Sequence, residues 1–325
     1  MQAVQATVVI PTLNGAALLT ETLAALAAQT VEHEVVLVDN ASTDGTAELV
    51  AERFPRVRVL RLEENVGFGR AVNRGAELVE TDVVVLVNND VVCEPDFLER
   101  LLAPLADPGV SMVAGVLLQH DRPGLVDSAG IELDVTLRSW DVGWNRPVGE
   151  LDTAPEPVGP CGGAAAYRTE AFRAVGGFDK SFFAYWEDVD LALRLRLAGH
   201  RCVRAADARA LHKHGQTLGA ASPAQRRLEA FGRAYVLARY RVARRGLLTR
   251  LEIAALDWPV LLVHLFVRRE PGPLRERRRG TRLGLARPAL RAPFELAAVP
   301  FSEALRRQLD LLRLRATGKL PTHFD

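Results

Sequence analysis

The chain predicts an α/β fold: a Rossmann-like, mainly parallel sheet with helices on both faces, followed by a basic helical region. Three observations carry this expectation. Val/Ile-rich runs alternate with helix-like stretches in a βαβαβαβ order, the links are short, and three of the runs stop at polar side chains that would share one sheet edge.

Thr7–Ile10 reads as the first strand, broken by Pro11, and Ala16–Ala28 as an Ala/Leu-rich helix. Glu34–Val38 is the second strand and ends at Asp39; the polar, glycine-containing stretch Asn40–Thr46 is a loop before a helix over Ala47–Arg53. Val57–Leu62 is the third strand and Gly69–Val79 the next helix. In Val83–Val87, five consecutive apolar residues, four of them β-branched, fit a strand buried on both faces, and the run stops at Asn88, Asn89 and Asp90.

Beyond Asp90 the alternation loosens, with a helix over Pro95–Leu105 and strands over Ser111–Leu118 and Gly130–Val135. Arg146–Pro160, rich in Pro and Gly, reads as a mobile loop. Cys161–Tyr167 reads as a strand whose small residues either admit a ligand to the backbone or pack tightly against a helix. Glu187–Ala198 alternates like a strand, but its length, its acidic start and the following Gly199 favour a helix. Arg201–Ala205 and Arg209–His214 read as short strands. From Pro223 the pattern is helical, interrupted at Pro259, Pro271, Pro273, Pro288 and Pro293.

At 325 residues and 48% hydrophobic composition, the chain has ample material for a core, so disorder is not the default and one large domain plus an appendage is expected. Cys93, Cys161 and Cys202 are widely spaced without a CxxC, which argues against a zinc site or disulfide framework and fits a reducing compartment. Met1–Thr7 lacks the basic start and apolar run of a signal peptide.

The net charge of +1 conceals an asymmetry. Residues 1–225 carry 19 basic and 31 acidic side chains, whereas Arg226–Arg291 carries 17 arginines against 5 acids. The expected division is therefore a domain over residues 1–222 and a basic helical region over 223–325. Within the latter, Ile253–Val267 is strongly apolar but contains Asp257 and Pro259 and is too short to span a bilayer. It reads as interfacial, with the arginines of Arg268–Arg291 near lipid phosphates; a helical subdomain packed on the core, with its arginines in water, is the alternative.

The chemistry sits at strand ends. Pro11, Thr12 and Asn14 follow the first strand, Asp39 the second, and Asn88, Asn89 and Asp90 the fourth. No GxGxxG follows the first strand and no GxxxxGK[ST] occurs, so the usual dinucleotide and triphosphate cradles are absent. Asp39 suits hydrogen bonds from a base imide or ribose hydroxyls, and Asp90 suits a hard divalent cation bridging a diphosphate. Asn65, Gly67, Gly69 and Arg70 open a helix where nucleobase or phosphate oxygens are received, or simply form a capping loop. The acids Glu187, Asp188 and Asp190 follow the aromatic run Phe182–Trp186. One acid would satisfy a helix start; three beneath aromatics point to a carboxylate whose pKa is raised toward that of a general base. In Leu211–Gly215, His212 follows a short strand and is either a structural histidine, the usual role of a lone one, or a partner of Asp90 on a metal, a reading that the other sites favour.

Taken in order, Val9–Gly15, Val38–Thr46, Asn65–Gly75, Asn88–Asp90, Gly176–Asp179 and Phe182–Leu191 make the chain resemble inverting family 2 glycosyltransferases of the GT-A fold, in particular their rhamnosyltransferase-like branch. The resemblance spans most of residues 7–217. It implies a nucleotide-diphosphate sugar as donor, with Pro11, Thr12, Asn14, Asp39, Asn65, Arg70 and Asn89 around the nucleotide and Mg²⁺ or Mn²⁺ on Asp90 and His212. It implies Asp188 as general base and Glu187 as the residue that orients it or the acceptor; Gly162, Gly163 and Trp186 are the acceptor-side candidates. Asn88 departs from the family's Asp-x-Asp metal motif, which removes one charge and bears on metal affinity.

The implied activity is metal-dependent transfer of a sugar, a deoxysugar such as rhamnose in first place, to a glycan or lipid-linked acceptor in cell-surface polysaccharide synthesis. The expected partners are the nucleotide sugar, that acceptor and an anionic membrane surface, without nucleic acid. The expected location is cytoplasmic, peripheral on the inner face of the cytoplasmic membrane. Two other classes compete. A sugar nucleotidyltransferase needs a basic glycine-rich loop near the first strand, and Pro11–Gly15 has no Lys or Arg. A catalytically silent sugar-nucleotide-binding or scaffold protein is suggested by Asn88, and donor turnover with Mn²⁺ separates it from the enzyme.

Overall fold

The computed structural model describes residues 5–213 and 222–317. Residues 1–4, 214–221, with the expected strand end at His214, and 318–325 lie outside the described residues. The chain divides into two compact units, one formed by Met1–Ile131 and Asp141–Ala220, the other by Glu132–Trp140 and Ala221–Asp325. Glu132–Trp140 therefore belongs to the second unit, although it lies within the stretch expected to form the first domain.

The first unit opens with β1 (Ala6–Thr12), α1 (Ala16–Ala27), β2 (Glu34–Asp39), α2 (Thr46–Arg53), β3 (Arg58–Arg61), α3 (Phe68–Ala76) and β4 (Val83–Val87). β1 runs through Pro11 instead of stopping there. Pro11 pairs with Val38 of β2 but lies beyond Val9, the last residue paired with β4, so its missing N–H costs no ladder bond to that neighbour. There follow β5 (Val91–Cys93), α4 (Phe97–Leu102), β6 (Val110–Gln119), β7 (Arg122–Ser128), β8 (Ile131–Asp134) and β9 (Ser139–Asp141). β10 (Ala164–Arg168), α5 (Thr169–Ala174), α6 (Glu187–Leu197) and β11 (Arg201–His212) complete this part of the chain.

Among the described residues the first unit holds a nine-stranded sheet in the order β3-β2-β1-β4-β10-β6-β11-β5, with β7 on β6. β1 to β4 are mutually parallel, β10 is antiparallel to both β4 and β6, and β6 and β11 are parallel. The carboxyl ends of β1, β2, β4, β6 and β11 and the amino end of β10 consequently share one edge. Both faces of β4 are covered: Val83, Val85 and Val87 pack with Leu19, Leu23 and Phe97, while Val84 and Leu86 pack with Val72, Phe178 and Leu191. That double burial is why the strand shows no alternation.

Two expectations are corrected and a third is borne out. The two short strands over Arg201–Ala205 and Arg209–His214 are one strand, β11, whose register on β6 shifts between Arg204 and Arg209; the gap read as a break is a bulge. Arg146–Pro160 is not free: it contains a 3₁₀ turn over Val148–Thr153 with Leu151 buried, and Arg204 holds it by donating to the carbonyls of Leu151, Ala154 and Pro155 at 2.9–3.0 Å. Glu187–Leu197 is a helix, as its ends indicate.

The second unit contains α7 (Pro223–Arg239), α8 (Leu247–Leu262), α9 (Gly272–Ala286), β12 (Ala297–Val299) and α10 (Phe301–Thr317), with β12 pairing β8 and β8 pairing β9. α8 passes through Pro259 and continues as a π turn over Val263–Val267. The carbonyl that Pro259 leaves without its helical donor belongs to Ala255, an exposed residue. Gly280 and Gly284 of α9 lie against backbone atoms of Phe231 and Tyr235 on α7, where any side chain would collide.

Asp257 of α8 is buried among Arg233 (3.3 Å), Arg138 (3.3 Å) and Arg277 (2.6 Å), and Arg233 also donates to Thr136 at 2.8 and 2.9 Å. Burial opposes ionisation of Asp257, but the arginines outweigh it and hold its carboxyl below the usual range. Part of the arginine excess therefore faces inward. Asp257→Ala removes the carboxylate that offsets the buried charge of Arg233 and should destabilise the second unit by about 3–5 kcal/mol in chemical denaturation.

Candidate active site

The shared sheet edge gathers most of the residues singled out above. Asp39, at the end of β2, is fully buried. Its Oδ1 accepts the Ser42 N–H at 2.9 Å, Arg61 Nε stands 3.7 Å from Oδ2, and Oδ2 has no hydrogen-bond partner. A buried carboxylate oxygen lacking a donor costs roughly 1–3 kcal/mol, a deficit that an imide N–H or ribose hydroxyl would remove. Asn14, at φ 51°, braces the loop around Asp39: its N–H donates to Ser42 Oγ at 2.8 Å and its Oδ1 accepts from the Thr43 N–H at 2.9 Å. Thr12 Oγ1 accepts from Asn89 Nδ2 at 2.8 Å, tying the ends of β1 and β4 together beside Pro11.

Asn65 Oδ1 accepts from Asn40 Nδ2 at 2.9 Å and from the Gly67 N–H at 3.0 Å, and Asn40 Oδ1 accepts the Val66 N–H at 2.9 Å. This turn needs Gly67, at φ 87°, because a side chain there would strike the backbone of Phe183. Arg70, expected at the nucleotide, is committed elsewhere: its Nε and Nη2 donate to the Lys180 carbonyl at 2.8 and 2.5 Å. Together with Asn73, which exchanges hydrogen bonds with the Phe178 backbone at 2.8 and 2.9 Å, it holds the loop that leads to Glu187.

Asp90 and His212 meet, with Asp90 Oδ1 3.3 Å from His212 Nε2. Behind the ring stands Asp127 of β7, which the sequence does not single out, 2.5 Å from Nδ1. Burial disfavours the imidazolium, but the hydrogen bonds to Asp127 and Asp90 prevail and push its pKa up to about 9. No cluster of three or more His, Cys, Asp or Glu side chains arranged for a metal occurs among the described residues. A divalent cation would fit the pair by displacing the proton that His212 directs from Nε2 to Asp90, since a ligating imidazole is neutral. Two adjacent ligands of an octahedral ion lie ~3 Å apart, small hard cations take most of their oxygens from substrate phosphate and water, and a ligating imidazole commonly hands its other nitrogen to a carboxylate.

Asp188 starts α6 with one oxygen, Oδ2, accepting the Gly162 N–H at 3.3 Å; Gly163 in turn receives the Asn88 N–H at 3.3 Å, so the acid stands one short backbone step from the end of β4. Burial raises the Asp188 pKa, while hydrogen bonds from the Val189 and Gly162 N–H groups oppose the rise. Glu187 is buried, its Oε2 lacks a hydrogen-bond partner, and burial, then repulsion by Asp188, push its pKa up. The third acid, Asp190, is bound by Arg194 at 2.7 Å and is structural. Tyr185 and Trp186 precede this helix at φ 66° and 76°, a left-handed pair that bulky residues rarely adopt.

A cavity of about 700 Å³ opens at the opposite edge of the sheet, lined by Thr81, Asp82, Arg168 and Arg173. Its two arginines are bound to backbone carbonyls, and it is separate from the residues above.

The family model for glycosyl transferase family 2 matches residues 7–176. An N-acetylglucosaminyl-diphospho-decaprenol L-rhamnosyltransferase of Mycobacterium tuberculosis is 32% identical over 57% of this chain and 68% of its own. An O-antigen chain rhamnosyltransferase of Salmonella anatum is 27% identical over 65% and 67%. Among solved structures, a mannosyltransferase of Pyrobaculum calidifontis, in complex with GDP-Man and Mn²⁺, superposes with a TM-score of 0.55 at 21% identity, covering 98% of this chain and 81% of that one. The fold is that of GT-A glycosyltransferases.

In the folded chain Glu187 holds its proton more tightly than in the unfolded one, so its ionisation costs stability. The cost is absent below the ordinary value of 4.5 and grows as pH rises through the raised one. Glu187→Gln should therefore stabilise the protein by on the order of 2 kcal/mol near neutral pH and leave it unchanged at pH 4, as read by urea unfolding at both values.

Proposed function

The chain belongs to glycosyl transferase family 2, and on that footing we propose that it is an inverting transferase moving a sugar from a nucleotide-diphosphate donor to a hydroxyl of a glycan or lipid-linked acceptor. Its setting is cell-surface polysaccharide synthesis at the cytoplasmic face of the membrane. The observation that carries this reading is the union, on one sheet edge, of a recessed carboxyl with a raised pKa, Asp188, and the Asp90–His212 pair. The names of the relatives support rhamnose as the transferred sugar and a diphospho-polyprenol-linked glycan as the acceptor. Asp39, with an unpartnered oxygen inside the Asn14-braced loop, supports a nucleoside at the end of β2.

Asp188 removes the acceptor proton as the hydroxyl oxygen attacks the anomeric carbon on the face opposite the diphosphate, which inverts that centre. The Gly162 N–H holds Asp188 Oδ2, leaving the carboxylate fixed as the proton arrives. Glu187 keeps the local charge low and orients Asp188 or the acceptor. Asp90 and His212 would hold Mg²⁺ or Mn²⁺, which when bound offsets the charge gathering on the leaving diphosphate. Asp127 keeps the His212 ring turned with Nε2 toward Asp90. With Asn88 in place of an acid, the residues present would hold a metal only weakly in the absence of donor.

A thermal-shift screen of nucleotide-diphosphate sugars tests the reading: a donor that raises Tm only with Mn²⁺ present supports it, and the absence of any such donor contradicts it. Asp188→Asn should lower kcat by about 10²–10⁴-fold with donor affinity nearly unchanged, and near-wild-type turnover would remove Asp188 as the base. Because the Asp188 pKa is raised, the acid limb of kcat/KM should lie above the ordinary carboxylate range, with activity lost as pH falls through it. Asp127→Asn should weaken Mn²⁺ binding in the presence of donor by about 10–100-fold, measured by titration calorimetry.

A further inference from the structure

The outer face of α8 takes no part in the chemistry above. Leu247, Leu251, Trp258, Leu262 and Phe266 recur at helical spacing along this helix and the π turn that follows, and each is between 45% and 74% exposed. Such a run of large apolar side chains on one helix face exceeds the scatter of single exposed residues that any surface carries. Arg244 and Arg250 stand exposed at one end of the stripe and Arg268 and Arg269 at the other. Of the two acids of the helix, Asp257 is buried among arginines on the inward side and Glu252 is half-buried.

The charge pattern selects the occupant. A second copy of the same face, docked parallel or antiparallel, would bring arginines against arginines at both ends and bury them without counter-charge. An anionic lipid surface offers acyl chains to the stripe and phosphates to both ends at once. No helix among the described residues is long and apolar enough to cross a membrane, so the helix would lie in the plane of the interface. Trp258, near the middle of the stripe, suits the headgroup boundary.

We infer that α8 docks flat on an anionic bilayer through the face marked by Leu251, Trp258, Leu262 and Phe266, with the flanking arginines on lipid phosphates. The inference deepens the acceptor side of the proposed function and rests on its reading of a lipid-linked acceptor, but its test does not require transfer. The full chain is sedimented with vesicles of phosphatidylethanolamine and phosphatidylglycerol, and separately with phosphatidylcholine alone. Trp258→Ser with Phe266→Ser and, independently, Arg268→Glu with Arg269→Glu change only exposed side chains, and circular dichroism checks that both variants keep the wild-type fold.

The wild type should bind the anionic vesicles at least tenfold more tightly than the neutral ones. Each double variant should lose at least tenfold, the arginine variant by about fivefold for each arginine removed, while donor hydrolysis stays at the wild-type rate. Equal binding to both lipids, or no binding to either, overturns the inference. So does a wild-type dimer that Trp258→Ser with Phe266→Ser converts to monomer, since the face would then join two copies. Vesicle binding that follows the expected pattern in a protein that turns over no sugar nucleotide refutes the transferase reading and leaves the membrane face standing.

Discussion

The insertion of β10 antiparallel between β4 and β6 is the constraint on which the site depends. A purely parallel sheet would deliver only carboxyl ends to this edge, each followed by a loop leading to a helix. By running the other way, β10 brings its amino end, Gly162 and Gly163, beside Asn88, and its backbone N–H and C=O groups reach both the acid at the start of α6 and the polar end of β4. Two glycines suit that place. A side chain at Gly163 would crowd Leu117 and Asn88, and one at Gly162 would crowd the Phe68 ring. Of the two readings of this small-residue run, tight packing is the one these contacts bear out.

The electrostatics follow from the same crowding. Two carboxyl groups, Glu187 and Asp188, stand side by side in a recess, and both resist ionisation. Two others, Asp90 and Asp127, flank an imidazole and favour its charged form. One edge therefore holds two carboxyl groups that burial disfavours as anions and an imidazole that its two acidic neighbours favour as a cation.

Much of this was legible in the chain alone. Val83–Val87 announced a doubly buried strand, and the polar residues after β1, β2 and β4 announced the edge, because strand periodicity and strand ends are local properties. What was not legible depends on contacts between distant segments. Nothing in Val126-Asp127-Ser128 distinguishes Asp127 from an ordinary strand residue until β7 pairs with β6 and the ring of His212 arrives. Arg70 looked like an anion ligand because the carbonyl it serves, Lys180, lies 110 residues on. Arg146–Pro160 looked unrestrained because its composition is that of a loop, and the guanidinium that fastens it comes from β11.

The excursion of Glu132–Trp140 into the second unit bears on how such a protein can be divided. The polypeptide passes between the units three times, so no single cut separates them. Asp134 closes the turn of this hairpin by accepting the Thr136 N–H, while Glu132, Thr136 and Arg138 are bonded to Arg307, Arg233 and Asp257 of the later helices. A fragment ending at residue 222 would keep the hairpin and lose all three partners, exposing polar groups shaped for a protein interior. The helical region is thus unsuited to exchange as a detachable module, and its inheritance is expected to travel with the catalytic fold.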